Sequence, residues 1–215
     1  MLFESHLADG RRVLFRPIEP GDKELLADGF RRLSPQSRYR RFFRSIDHLS
    51  EAQLRYLTEV DQKDHVAWVA VLPDEPNETG AGVARWIRLA DEPGSAEGAV
   101  TVVDELQGLG IGKTLLHLLA HIAIEQGIRS FKAWVLGDNQ QVQTMLKGIG
   151  ATPGAWEGGV LEMTIPLPAD PAQLEATPAP LILKAVAAGQ LEGRAATEAG
   201  RTHLSTPDEA HRPSS

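Results

Sequence analysis

The chain has 215 residues, enough for one sizeable core, and its 22 Lys and Arg against 29 Asp and Glu give a formal charge of −7; that balance argues against a broad nucleic-acid surface, which would have to neutralise phosphates. It has no cysteine, which excludes a disulfide framework, a thiolate metal site and a Cys nucleophile. The first residues lack a basic segment followed by an apolar run, and no apolar stretch reaches the roughly 20 residues that span a bilayer, so a soluble cytoplasmic protein with no membrane partner is expected.

Arg12 to Arg16 reads as a first strand closed by Pro17, and Asp9-Gly10 can turn a short preceding strand into a hairpin. From Asp22 to Leu33 the apolar positions Leu26, Phe30 and Leu33 recur at helical spacing, with Asp22 as N-cap. Ser34-Pro35 opens a second helix, since Ser caps well and Pro suits the first helical position. Its Arg38, Arg40, Arg41 and Arg44, interleaved with Tyr39, Phe42 and Phe43, are read as a solvated basic face rather than a phosphate grip. Ser50-Glu51-Ala52-Gln53 forms a capping box for a third helix through about Leu57.

Val66 to Val71 is a nearly continuous apolar run suited to a strand covered on both faces, and Thr79 to Arg88 pairs with it as an antiparallel hairpin. Glu97 to Val103 supplies the next strand. A helix from Gly112 to about Gln126 follows, built on Leu115, Leu118, Leu119 and Ile122, and Gly127 stops it. Phe131 to Val135 then completes a strand-helix-strand unit with parallel strands. A helix from about Asn139 to Lys147 and a last strand from Val160 to Ile165 finish the pattern. From Pro168 onward Pro, Ala, Gly and Thr dominate: Leu181 to Leu191 fits one helix with a mostly alanine face, and 196–215 reads as disordered. The expected division is a mixed α/β domain over 1–167 and a Pro/Ala-rich tail over 168–215.

Between a strand and a helix stands Gln107-Gly108-Leu109-Gly110-Ile111-Gly112. Glycines here let the backbone turn tightly and present consecutive N–H groups at a helix N-terminus, where the dipole favours anions. A phosphate cradle is the functional reading, and an ordinary tight connection is the alternative. A P-loop needs four residues between its first Gly and the Gly-Lys pair, whereas three separate Gly108 from Gly112. The dinucleotide fingerprint needs two residues between its second and third Gly, and only Ile111 lies between Gly110 and Gly112.

The run from Val102-Val103-Asp104 through Gln107, Gly110, Gly112 and Lys113 resembles the acetyl-CoA loop of GCN5-related N-acetyltransferases, the GNAT superfamily. Phe15-Arg16-Pro17-Ile18, Ser37 to Phe43 and Ala96-Glu97 carry a closer resemblance to the acetyltransferase domain of bacterial protein-lysine acetyltransferases. The resemblance implies a GNAT-like acyl-CoA N-acyltransferase fold, a central mixed sheet flanked by helices, that uses acetyl-CoA as cosubstrate. It also implies an amine acceptor, either a protein lysine or a small molecule, and leaves a homodimer open.

Residue by residue, the resemblance implies that the backbone of Val102 and Val103 bonds the pantetheine arm where two core strands splay. The amides of Gln107, Gly108, Leu109, Gly110, Ile111, Gly112 and Lys113 would hold the pyrophosphate, with the Thr114 hydroxyl assisting. Asn139 matches a pantetheine-contacting position, although a plain helix cap is an equal reading. Many members carry a tyrosine in this last helix as general acid, and Asn139 to Met145 contains none. A thiol of pKa near 8.5 leaves readily as thiolate without one.

Glu97, at the start of the strand leading to the loop, matches the glutamate that resembles the general base in protein-acetylating relatives, and Glu162 is the second carboxylate considered. His117 and His121 lie on a polar helix face without a third ligand at metal-binding spacing, so no metal is expected. Two other classes share these features: a domain that senses a CoA ester without turnover, and a structural subunit that has inherited the fold.

Overall fold

The computed structural model describes residues 2–42, 46–75, 78–137, 140–148, 150–170 and 173–174. Among these residues, eight strands form one sheet: β1 (Phe3–His6), β2 (Arg12–Pro17), β3 (His65–Leu72), β4 (Thr79–Arg88), β5 (Ser95–Val102), β6 (Ser130–Leu136), β7 (Thr152–Glu157) and β8 (Val160–Pro166). Their spatial order is β1-β2-β3-β4-β5-β6-β8-β7. Every neighbouring pair is antiparallel except β5 and β6, which run parallel, as expected of the strand-helix-strand unit. The expected mixed sheet flanked by helices is thus the observed fold.

Five α-helices among the described residues accompany the sheet: α1 (Lys23–Arg31), α2 (Pro35–Phe42), α3 (Glu51–Thr58), α4 (Ile111–Glu125) and α5 (Gln140–Gly148). The alternation of each strand sends Trp68, Trp86, Val100 and Met163 into one core with Leu115 and Leu119 of α4. The opposite face of β3 sends Ala67, Val69 and Val71 into a second cluster with Ile18 and Leu25 of the α1 side. The run Val66 to Val71 is buried throughout because both faces are covered. Small residues in β4 permit this double cover. A Cβ on Gly82 would stand 3.0 Å from the Thr101 carbonyl and 3.3 Å from Ile111, and one on Gly80 would stand 3.2 Å from Leu25.

Local chemistry sets most of the helix starts. Ser50 accepts from the Gln53 amide at 3.3 Å and Gln53 returns the bond to the Ser50 amide at 2.8 Å, closing the capping box of α3. The Ser34 hydroxyl accepts from the Ser37 amide at 3.1 Å at the head of α2. Asp22 occupies the N-cap of α1 but makes no side-chain cap bond. Its carboxylate takes Arg16 in a bidentate pair at 2.8 Å and the Glu19 amide at 2.7 Å, a stronger charge-assisted use.

Two expectations need revision. Strand β7 lies outside the predicted set: every one of its residues is exposed and Pro153 interrupts it, so it has no alternation to read, as suits an edge strand. Gly158 and Gly159, both at positive φ, form the two-residue turn that joins it to β8 and are the local signal for it. The basic face of α2 is not uniformly solvated. Arg38 donates to the carbonyls of Leu33, Arg31 and Asp47 and stacks on Phe30, and Arg41 is only 7% exposed. The helix expected over 181–191 and the disordered stretch 196–215 lie outside the described residues. Just before them, Leu174 is 2% exposed and packs on Ala120 and Ile124 of α4.

Candidate active site

The parallel strands β5 and β6 pair only from Ser95/Ser130 to Glu97/Lys132 and then diverge. A wedge opens in the middle of the sheet, with Glu97 at its apex and the glycine loop at its mouth. Within it, the backbone edge of β5 that faces β6 has no strand partner among the described residues, which suits an extended amide-bearing ligand. Val103 is poorly placed for this. Its amide donates to Ala81 at 3.1 Å and its carbonyl accepts Leu106 at 3.0 Å. By alternation the Val102 amide faces the wedge, while the Val102 carbonyl already receives the Gln107 side chain at 3.2 Å.

At the mouth, Gly108 and Gly110 have φ of 81° and 96°, and Gly110 is the N-cap of α4. A Cβ built on either meets nothing within 4 Å, so both glycines border open space that a side chain would fill. The first helical bond of α4 runs from the Thr114 amide to Gly110 at 3.0 Å. The amides of Ile111, Gly112 and Lys113 therefore have no partner inside the helix. These donors and the exposed Lys113 fit a pyrophosphate. Gln107 instead braces the loop, its amide donating to Asp104 at 3.3 Å and its side chain to the Asp104 carboxylate at 2.9 Å. The Thr114 hydroxyl donates back to Gly110 at 3.3 Å. Leu109 packs against the main core. Asn139 lies outside the described residues; just beyond it, Gln140 and Gln143 donate to Gly137 at 3.0 and 3.1 Å and close the end of β6.

Asp104 holds the loop to the helical layer. Besides Gln107 it accepts the Ser34 amide and the Ser37 hydroxyl, the latter at 2.6 Å. Burial pushes its carboxyl up, but these bonds to Ser37, Ser34 and Gln107 outweigh that and hold it below the usual range.

On the face covered by α1, α2 and α3, Glu97 is 3% exposed and Arg85 2%. Arg85 donates from Nη1 to the Leu57 carbonyl at 3.1 Å and lies 3.0 Å from His65 Nε2. A guanidinium can only donate, so Nε2 must be the acceptor and the His65 proton sits on Nδ1. Burial and then the Arg85 charge push His65 down to about 3, which keeps it neutral. Tyr56 lies 5.3 Å from the His65 ring. Its phenol is raised, first by burial and also by Glu97, against the opposing fields of Arg85 and Arg41. Of these groups Arg85 lines a cleft, together with Arg41 and apolar walls from Leu25, Phe30, Leu57 and Val69. The sequence does not mark Arg85 as a cleft residue and places Arg41 on a solvated face, because only the packing of α2 and α3 over the sheet encloses them.

Glu162 shares this face of the sheet but is engaged elsewhere. It accepts Lys132 Nζ at 2.8 Å, and Lys132 also reaches Glu92 at 3.4 Å. No group of metal-ligating side chains occurs among the described residues, and no described helix is long and apolar enough to cross a membrane.

A wedge between parallel strands, with a glycine turn and a helix N-terminus at its mouth, is the arrangement of a GNAT-type acyltransferase. The model of the acetyltransferase (GNAT) family matches residues 23–151, and the chain belongs to that family. Acetyltransferase PA5475 of Pseudomonas aeruginosa is 32% identical over 144 residues, covering 67% of this chain and 77% of that protein. Acetyltransferase Pat of Mycolicibacterium smegmatis is 34% identical over 159 residues, 74% of this chain and 47% of its own length, so the chain spans about half of that relative. Among solved structures, the GNAT domain of S. lividans PAT superposes with a TM-score of 0.67 at 30% identity, covering 77% of this chain and 97% of that domain. Acetyl-CoA-dependent acetyltransferase activity of the GNAT type is supported for this chain.

Proposed function

We propose that the protein transfers the acetyl group of acetyl-CoA to a primary amine by direct attack, with Glu97 as general base. The observation that carries this reading is a buried carboxylate at the last paired position of β5 and β6, where the wedge begins. The amine nitrogen bonds to the thioester carbonyl carbon, the carbon–sulfur bond breaks, and the amine proton passes to Glu97 directly or through one water. CoA leaves as thiolate and takes its proton from solvent. A lysine amine of pKa near 10.4 costs about 4–5 kcal/mol to neutralise at pH 7, which a positioned base offsets. Glu162, the second carboxylate, accepts Lys132 Nζ and lies beyond the last paired position of β5 and β6.

The resemblance to bacterial protein-lysine acetyltransferases favours a protein lysine as acceptor. A small-molecule amine is the second reading, favoured by the apolar-walled cleft that Arg85 lines on the sheet face it shares with Glu97. A CoA-release assay with acetyl-CoA across lysine peptides, amino acids and polyamines tests the proposal. Amine-dependent release with an N-acetyl product is the expected result. Tight acetyl-CoA binding with no release for any amine would identify a sensor module instead.

A further inference from the structure

We infer that Arg85 recognises a carboxylate at the floor of the cleft, and that the acetyl acceptor is an apolar α-amino acid. This deepens the second acceptor reading and rests on acetyl transfer beside Glu97. Arg85 is buried in mid-strand, and its protein partners are neutral: the Leu57 carbonyl and the His65 ring nitrogen. Its Nε is buried without a hydrogen-bond partner among the described residues. No carboxylate among the described residues forms an ion pair with it. A buried guanidinium with no carboxylate partner among the described residues is costly to retain, and its unbonded Nε is a donor that a carboxylate would accept.

The strand register supplies the spacing. Arg85 lies opposite Ala99 and Ile87 opposite Glu97, so Arg85 and Glu97 are diagonal neighbours on one face of the sheet. An α-amino acid carries its amine and its carboxylate on one carbon, so an amine placed at Glu97 directs the carboxylate toward Arg85. The side chain then enters the cleft between Leu25, Phe30, Leu57 and Val69. Arg41 also lines this cleft.

The test uses the full chain, acetyl-CoA and matched acceptor pairs: L-phenylalanine with phenethylamine, and L-leucine with 3-methylbutylamine. The acid member of each pair should exceed the amine in kcat/KM by at least about tenfold. In Arg85→Met that ratio should collapse to within about twofold, and Arg85→Lys should restore part of it. If Arg85→Met does not fold by its melting curve, the wild-type ratio and Arg85→Lys decide. A wild-type ratio near one, an undiminished ratio in folded Arg85→Met, or a lysine peptide used better than every amino acid overturns the inference. If no amine releases CoA, the acetyl-transfer reading has failed, and calorimetry then tests the site by itself. Carboxylate-dependent binding of phenylalanine that is lost in the Arg85 variants upholds the site, and no such binding overturns it.

Discussion

Replacing Gly110 by Val separates two consequences of one glycine. Its φ of 96° is a left-handed conformation, which costs an L residue about 1–2 kcal/mol, with a β-branched side chain toward the upper end. The built Cβ meets nothing within 4 Å, so the ligand-free fold suffers strain without a clash. For a chain of this size the melting temperature should fall by roughly 3–8 °C. Binding should suffer more, because the new side chain occupies the space faced by the amides of Ile111, Gly112 and Lys113. Losing two charge-assisted hydrogen bonds at about 1.5–3 kcal/mol each predicts at least about a 100-fold weaker Kd for acetyl-CoA. Gly110→Ala imposes a similar backbone strain with a smaller obstruction and should lie between the two. Isothermal titration calorimetry with a parallel melting curve reads both effects. Affinity within about threefold of wild type in a folded Gly110→Val protein would refute the placement of the pyrophosphate.

Truncation after Asp170 should leave acetyl-CoA affinity within about threefold, under roughly 0.7 kcal/mol, yet lower stability by about 1.5–3 kcal/mol because Leu174 is removed from its contact with Ala120 and Ile124; calorimetry and denaturant melts check the two halves. Asp104→Ala removes two hydrogen bonds that join the loop to the head of α2 and one within the loop, and should destabilise the fold by about 1–3 kcal/mol. The depressed Asp104 carboxyl contributes stability above its unfolded pKa that is lost as pH falls through its folded pKa, so the variant should show a shallower acid-side loss in urea titrations. His65 is neutral in the fold with a pKa of about 3, so the unfolded chain binds the extra proton below about 6.5 and stability drops as pH falls from there toward 3. At pH 5 this amounts to about 2 kcal/mol, and His65→Gln should flatten that part of the profile.

Where local chemistry decides structure, the sequence is readable. The Ser50/Gln53 box, the Pro35 helix start and the apolar run of β3 each depend on neighbouring residues, and each forms where expected. The glycine loop is legible for the same reason, since positive φ and a helix N-terminus are local properties. Edge strand β7 is not, because a strand with no buried face carries no period-two pattern. The buried polar floor of the cleft escapes as well. Arg85 in an alternating strand and Arg41 on a basic helix look solvated until α3 and α2 close over the same face of the sheet. Asp22 and Asp104 show the related limit: each sits at a plausible local position, but distant donors determine its partners.

Whether Glu97 takes the amine proton is read from the pH dependence of kcat/KM for wild type and Glu97→Gln, with acetyl-CoA affinity measured alongside. Glu97→Gln preserves size while removing the ionised base. A positioned base contributes about 10²–10⁴ in rate. The expected outcome is a loss of at least about tenfold, a vanished acidic limb and nearly unchanged acetyl-CoA binding. Unchanged turnover with the acidic limb intact would contradict the assignment, and the same profile on Glu162→Gln would then show whether the carboxylate held by Lys132 takes that proton.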